Sequence, residues 1–380
     1  MPGKRPGRAG GAKLRSLAAD LGLSLATLAL FFALCELVVF RFVWLASNVP
    51  ANAFVDGVVR YVPGQQGVWR VRNEIAAPYR INGQGWNSGV GDYVAARRPG
   101  VERVAIVGDS FIEALQVPYN RSVGEDLATD LAAVGEKAEA YRFAISGAPM
   151  SQYLQMIERA VVRYRPDWVV VLLVHNDFDE SYKFKAGRYT SSFLKLKVED
   201  GRVLGETPPA PWRPWMLEWL RQTATARFFL YRWQVRPQLL VDLLLPRAHA
   251  AIAANTDMGA VLGDLPGVKA VTDYLFVRMD AVVHQMGARL LLAMDGDRYA
   301  IYRDDESQAL ELNRIARATA ARHDIPFVDL EPVFHADWQA HHRRFDFDAD
   351  SHWNEYGHAV AAAAIAAALR RQSHPGAAEP

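Results

Sequence analysis

Four short blocks of the sequence carry residue types suited to covalent chemistry on a carbonyl. The first, Gly108-Asp109-Ser110-Phe111, follows an apolar run of strand length at 103–107. A serine on a tight turn past the carboxyl end of a buried strand exposes a hydroxyl for attack, although a serine there also serves as a helix N-cap. The second, Asp346-Phe347-Asp348-Ala349-Asp350-Ser351-His352-Trp353-Asn354, leads into an alanine-rich stretch near the other end. Serine is a poor nucleophile until a base takes its proton, and an imidazole base needs a carboxylate to hold its tautomer and stabilise the imidazolium. His352, two residues after Asp350, supplies both. The same loop also reads as a solvated acidic surface, or as a metal site made of Asp348, Asp350, His352 and His358. The serine gives the histidine a simpler partner, leaving His358 as structural and Asn354 as an N-cap. The third and fourth blocks, Ile145-Ser146-Gly147-Ala148 and Val174-His175-Asn176-Asp177, each close an apolar run. A tetrahedral intermediate needs donors aimed at its oxyanion. The Ser110 N–H, the Gly147 N–H and the Asn176 side-chain amide would supply them from three strand ends. Taken singly, Gly147 reads as a turn and Asn176 as a polar loop residue.

Elements that would position these blocks alternate along the chain. Apolar runs at 103–107, 141–145, 168–174, 288–294 and 327–330 have strand length. Helical stretches fall near 121–134, 151–164, 268–286, 306–323 and 355–371. Apolar strands alternating with helices indicate a parallel sheet covered on both faces, with ligands at the carboxyl ends of its strands. Between about 179 and 265 the alternation stops. Runs at 193–197 and 202–204 flank Asp200-Gly201 as a hairpin. Pro208, Pro209, Pro211 and Pro214 then mark a linker, followed by Trp212, Trp215, Trp219, Phe228, Phe229, Tyr231 and Trp233. That aromatic cluster suits sugar stacking or a membrane interface; the plainer reading packs it onto the domain. Short β-like stretches occupy 67–72 and 79–82.

The N-terminus differs from the rest. Residues 21–46 are apolar except for Ser24, Thr27, Glu36 and Arg41, which is long enough to span a bilayer core of about 20 helical residues. Lys4, Arg5, Arg8, Lys13 and Arg15 precede the run, while Arg60 is the sole basic residue among the 20 that follow Ala46. The positive-inside bias then leaves the N-terminus in the cytoplasm and the chain beyond about residue 47 outside, in a bacterial periplasm. Glu36 would lie about 22 Å along the helix, near the outer edge of the hydrocarbon and within reach of Arg41. A cleaved signal peptide, with Ala51-Asn52-Ala53 as its site, is the competing reading, but the run exceeds the usual h-region of about 7–15 residues. A lipoprotein signal at Cys35 is disfavoured by the bulk of Leu34. The expected organisation is a basic tail at 1–20, a transmembrane signal anchor at 21–46 and a connecting segment at 47–100. A domain at 101–372 with the insert at about 179–265 follows, then a flexible tail at 373–380.

Composition narrows the classes. With 43 Lys and Arg against 42 Asp and Glu, the net charge of +1 removes the electrostatic case for a nucleic-acid partner. A hydrophobic content of 51% excludes wholesale disorder. The single cysteine, Cys35, excludes an intrachain disulfide or a cysteine zinc site.

With four blocks in this order, residues of about 79–371 resemble the SGNH/GDSL hydrolase family, including the upstream Tyr79-Arg80-Ile81-Asn82 that membrane-anchored members often show. The resemblance implies a three-layer α/β/α sandwich around a parallel, flavodoxin-like sheet. It also implies hydrolysis or transfer of acyl groups through an acyl-serine, with no metal and no cofactor. Ser110 matches the family nucleophile, Gly147 and Asn176 the further oxyanion donors, and His352 the general base. Two positions depart from the pattern. Val174 replaces the glycine of Gly-x-Asn-Asp, and Ala349 stands where Asp-x-x-His has its aspartate. Asp350, in the Asp-x-His spacing of relatives that modify exopolysaccharides, is the substitute, with Asp348 as the alternative. The reading is an inner-membrane-anchored serine esterase whose substrates are O-acetyl esters of cell-surface glycans. An O-acyltransferase using the same residues, a lipid esterase, and a non-catalytic glycan-binding or assembly component are the rivals.

Overall fold

The computed structural model describes residues 9–184, 192–211, 215–235, 252–254 and 256–374. Two antiparallel hairpins come first: β1 (Asn52–Val55) with β2 (Val58–Tyr61), and β3 (Gln66–Val71) with β4 (Ile75–Arg80). The central strands begin with β5 (Glu102–Gly108), β6 (Ala138–Ala144) and β7 (Trp168–Leu173). Two small hairpins intervene, β8 (Lys195–Glu199) with β9 (Arg202–Thr207) and β10 (Ile252–Ala253) with β11 (Thr256–Asp257). The last two central strands are β12 (Arg289–Met294) and β13 (Phe327–Asp329). The five central strands pair in parallel in the order β13-β12-β7-β5-β6.

Strand side chains alternate between faces, and the two cores sort accordingly. Val104 and Ile106 of β5 join Leu127, Leu131, Ile365 and Leu369, from the helices Val123–Ala133 and Glu355–Ser373. Ala105 and Val107 join Tyr153, Leu154, Leu275, Phe276 and Leu312, from the helices Met150–Arg159, Leu265–Gln285 and Leu310–Arg322. This is the expected three-layer α/β/α sandwich. β7, apolar at every position, is buried along its whole length because both its faces are covered. The edges depart from expectation by a few residues. β6 starts at Ala138 rather than 141, and the helix from Met150 ends at Arg159, with a 3₁₀ turn at Val161–Tyr164. The strand expected to reach 330 stops at Asp329, whose carboxylate accepts the Glu331 N–H at 3.1 Å and caps an unanticipated helix, Leu330–His341.

Residues 47–100 do more than connect. Val58, Val59, Tyr61, Tyr79, Ile81, Trp86 and Tyr93 are buried in the same core as Val107 and Phe143. Trp86 meets the edge of the Phe143 ring at 5.5 Å. Within the insert, the β8–β9 turn forms at Asp200-Gly201 with both residues at positive φ, the geometry that a two-residue hairpin needs. A helix at Trp215–Gln222, a short turn at Ala224–Ala226 and a π-wound segment at Arg227–Arg232 follow. Expectations resting on Lys4, Arg5, Arg8, Trp212, Pro214 and 375–380 lie outside the described residues.

At the N-terminus, the helix Ala9–Leu34 continues as a π-wound segment, Cys35–Val43. Its stretch Leu17–Val43 is long and apolar enough to cross a membrane; its most apolar 18-residue window has a mean hydropathy of 2.4, and 11% of that window is buried. A core helix would be covered by the domain, and this one is not.

Removing the Trp86 side chain should lower stability by about 3–5 kcal/mol, as for other large core aromatics. Denaturant unfolding of Trp86→Ala measures this; a loss near zero would make 47–100 a dispensable connector.

Candidate active site

β5 delivers the first block at the carboxyl edge of the sheet. The Asp109 carboxylate accepts the Phe111 N–H at 3.0 Å, capping the single-turn helix Ser110–Glu113. The turn is tight enough that a Cβ at Gly108 would lie 2.5 Å from Ile112 Cγ1, so only glycine fits. Ser110 Oγ lies 2.8 Å from His352 Nε2 and 3.3 Å from Asp109 Oδ2. His352 Nδ1 lies 2.5 Å from Asp350 Oδ1, which also accepts the His352 backbone N–H at 3.0 Å. Asp348 points elsewhere: its side chain is 83% exposed and faces Arg344 at 3.4 Å. His358 is buried, accepts the Val123 N–H at 3.3 Å, and is pushed down to about 3 by that burial. Neither Asp348 nor His358 therefore joins Asp350 and His352, and the four-residue metal arrangement does not assemble.

The charges of the pair are set by each other. Burial works against a charged His352, but the Asp350 carboxylate on its Nδ1 outweighs it and lifts the imidazole above its ordinary 6.5. Burial likewise opposes an ionised Asp350; the imidazole and its hydrogen bonds overcome that and hold the carboxyl below its usual value.

Parallel register brings the remaining blocks alongside. Gly108 pairs with Ala144, and Val107 with Val171, so Ser110, Gly147 and Asn176 follow the ends of three adjacent strands. Gly147 has φ +73°, in the left-handed region that favours glycine. Its loop is tied to the serine's own helix, because Ser146 N–H donates to Glu113 Oε1 at 3.2 Å. The Tyr61 hydroxyl donates to the same oxygen. Glu113 is buried, and this pushes its carboxyl up to about 7. Asn176 opens the helix Asp177–Glu180 without capping it through its side chain. It lines a small cleft with Phe111, Val174, Asp297, Arg298, Tyr299 and Ser351. Asp177 braces that turn: its carboxylate accepts the Val174 N–H at 2.8 Å and the Tyr153 hydroxyl at 2.9 Å. His175 is buried, with Nε2 3.0 Å from Asn313 Oδ1.

Several neighbours of the histidine were missed in the sequence. Gln116 Nε2 lies 3.2 Å from His352 Nδ1. The Glu74 carboxylate, in the β3–β4 turn, accepts the N–H groups of Asp348 and Ala349 at 2.8 and 2.7 Å, steadying the acidic loop. Arg298 pairs with Asp295 and donates to the Ser351 carbonyl at 2.8 Å, while Trp353 Nε1 reaches Asp295 Oδ1 at 3.2 Å. A signal existed for this last group, since Asp295-Gly296-Asp297-Arg298 stands at the carboxyl end of an apolar strand. Nothing local marked Gln116 or Glu74. The assembled geometry is that of a hydroxyl, a base and an orienting carboxylate in line, beside loops that can offer hydrogen-bond donors.

Comparison with known proteins finds a family profile and similar solved structures. The sequence profile of the GDSL-like Lipase/Acylhydrolase family matches residues 106–360. No curated protein matches the sequence. Among solved structures, a lipase/acylhydrolase from Enterococcus faecalis is similar at 14% identity and a TM-score of 0.39, covering 73% of this chain and 100% of its own. The acetyl xylan esterase AlAXEase is similar at 14% identity and a TM-score of 0.40, covering 70% and 99%. A two-domain esterase active on acetylated mannans gives 11% identity and a TM-score of 0.40, covering 74% of this chain and 52% of its own.

A base must be neutral to accept a proton, so a raised His352 value means that activity is lost as pH falls through a midpoint above 6.5. In pH–rate profiles of kcat/KM, Asp350→Asn should move that acid limb downward and lower the rate by about 10³–10⁴-fold. Asp348→Asn should leave the limb in place; the reverse pattern would make Asp348 the partner.

Proposed function

Because the chain belongs to the GDSL-like Lipase/Acylhydrolase family, whose members hydrolyse ester bonds, we propose that it is a serine esterase with Ser110, His352 and Asp350 as its triad. The observation that carries this is the unbroken line from Ser110 Oγ to His352 Nε2 at 2.8 Å and from His352 Nδ1 to Asp350 at 2.5 Å. In the first half-reaction, Ser110 Oγ attacks the ester carbonyl while His352 Nε2 takes its proton. The Ser110 and Gly147 N–H groups and the Asn176 amide hold the developing oxyanion. Collapse breaks the bond to the alcohol oxygen, which leaves with the proton from His352, and the acyl group stays on Ser110. Water then attacks the acyl-serine, giving its proton to His352; the carboxylic acid leaves and Ser110 regains its proton.

The small cleft that Asn176, Asp297 and Arg298 share is also lined by Phe111 and Ser351, the chain neighbours of Ser110 and His352. It favours a short acyl group on a polar alcohol over a long alkyl chain, which supports an O-acetyl ester of a glycan as the substrate. The uncovered apolar stretch Leu17–Val43 supports an anchor that keeps the domain outside the cytoplasm, at the bacterial inner membrane. Transfer to a sugar hydroxyl in place of water uses the same groups. The Asp350-x-His352 spacing, shared with relatives that modify exopolysaccharides, favours it as the second reading.

Full-length protein in detergent should hydrolyse p-nitrophenyl acetate, and Ser110→Ala should lower the rate by about 10³-fold or more. Folded wild type no faster than Ser110→Ala would sink the esterase reading. An acetylated acceptor sugar appearing in place of free acetate would select transfer.

A further inference from the structure

The insert carries a helix that is inside out for a water-soluble surface. In Trp215–Gln222, Met216, Leu217, Trp219 and Leu220 are 62, 51, 69 and 47% exposed. At about 100° per residue these four share one arc of the helix. The polar residues Glu218 and Arg221 turn toward the protein instead: they pair at 2.9 Å, and Arg221 Nε donates to the Tyr231 hydroxyl at 2.6 Å. An apolar face turned outward beside inward polar groups marks a surface that meets something other than water.

What it meets follows from where it is fastened. The Glu36 carboxylate, on the apolar N-terminal helix, accepts the N–H groups of Ala224 and Thr225 at 2.7 and 2.8 Å, and the Thr225 hydroxyl at 2.9 Å. The Phe40 ring stacks on Phe228 at 4.4 Å. The exposed face is thereby continuous with the outer end of the Leu17–Val43 stretch, where Phe42 and Trp44 are themselves 75 and 60% exposed. Phe229, whose ring lies 5.6 Å from that of Phe40, and Leu230 and Trp233 are exposed as well. Tryptophans grouped at the end of a span are the composition of a membrane–water interface.

We propose that residues 215–233 form a foot that lies in the outer interface of the lipid bilayer, its apolar face among the headgroup-proximal acyl chains. The inference rests on the reading of Leu17–Val43 as a membrane span. Arg232 ties the foot to the Arg72 and Leu45 carbonyls at 3.1 and 2.5 Å, and the residue that follows the foot, Gln234, has its Nε2 3.5 Å from Asp350 Oδ2. Docking of the foot therefore fixes the triad close to the bilayer surface instead of leaving it on a loose tether.

The test uses full-length protein with Cys35→Ser, in liposomes of phosphatidylcholine and phosphatidylglycerol, carrying one bimane label at a time. Labels go at Trp219→Cys on the foot, Leu25→Cys in the span, and Leu204→Cys on β9, exposed to water. The expected result is strong quenching at 219 by headgroup-level nitroxide lipid, with iodide quenching about fivefold weaker than at 204. Met216→Cys repeats the reading on the same face, should 219 disturb folding. If 25 is quenched by deep nitroxide lipid while 219 is as open to iodide as 204, docking is wrong and the span stands. No lipid quenching at 25 removes the span and the proposal together. Protection of 219 from iodide without lipid quenching means that a second copy covers the face, which also overturns docking.

Discussion

In the proposed mechanism a proton passes from Ser110 Oγ to His352 Nε2, and the 2.8 Å contact between those atoms joins the two ends of the domain. Most of the fold can be understood as what keeps that distance short. β5 and the Asp109 cap place the hydroxyl, while the histidine sits in a loop with no strand of its own. Three separate braces hold that loop: Glu74 on the Asp348 and Ala349 amides, Arg298 on the Ser351 carbonyl, and Asn354 bonding the Arg344 and Asp346 carbonyls. Each brace comes from a different element, and none touches the imidazole.

Environment sorts the carboxyl groups around the site. Burial raises Asp109, Glu113 and Asp177, whereas Asp350 alone among these four is held low, by the imidazole it faces. Chemically similar groups thus take different parts according to their neighbours. In the proposed triad, Asp350 orients His352 and favours its charged form. Glu113, with the Tyr61 hydroxyl, secures the Gly147 loop; Asp177 secures the Asn176 turn. Tyr61 ties this arrangement to the upstream hairpins, which explains why residues 47–100 are packed into the core and do not merely lead to it.

Legibility followed range. The central strands were visible because an apolar run covered on both faces needs no information from elsewhere, as in β7. Ser110, Gly147, Asn176 and His352 were visible because each sits in a local pattern at a strand or helix end. Asp350 was preferred to Asp348 on its spacing from His352, but what separates the two is how the loop closes: Phe347 N–H bonds the Asp350 carbonyl at 3.1 Å, and Glu74 takes the next two amides. Gln116 and Glu74 matter only through partners far along the chain. The aromatic insert shows a further limit. Its aromatics could be counted in the sequence, but not which of them pack inward: Phe228 stacks on Phe40, whereas Trp219 and Trp233 stay exposed.

The central claim is that Ser110 is a nucleophile activated by His352. Intact-mass and peptide mass spectrometry after treatment with a fluorophosphonate tests it most directly. The account predicts one adduct per chain, on Ser110, forming more slowly as pH falls through the His352 midpoint and absent in His352→Ala. An adduct on another residue, or labelling of Ser110 at the same rate without His352, would contradict it.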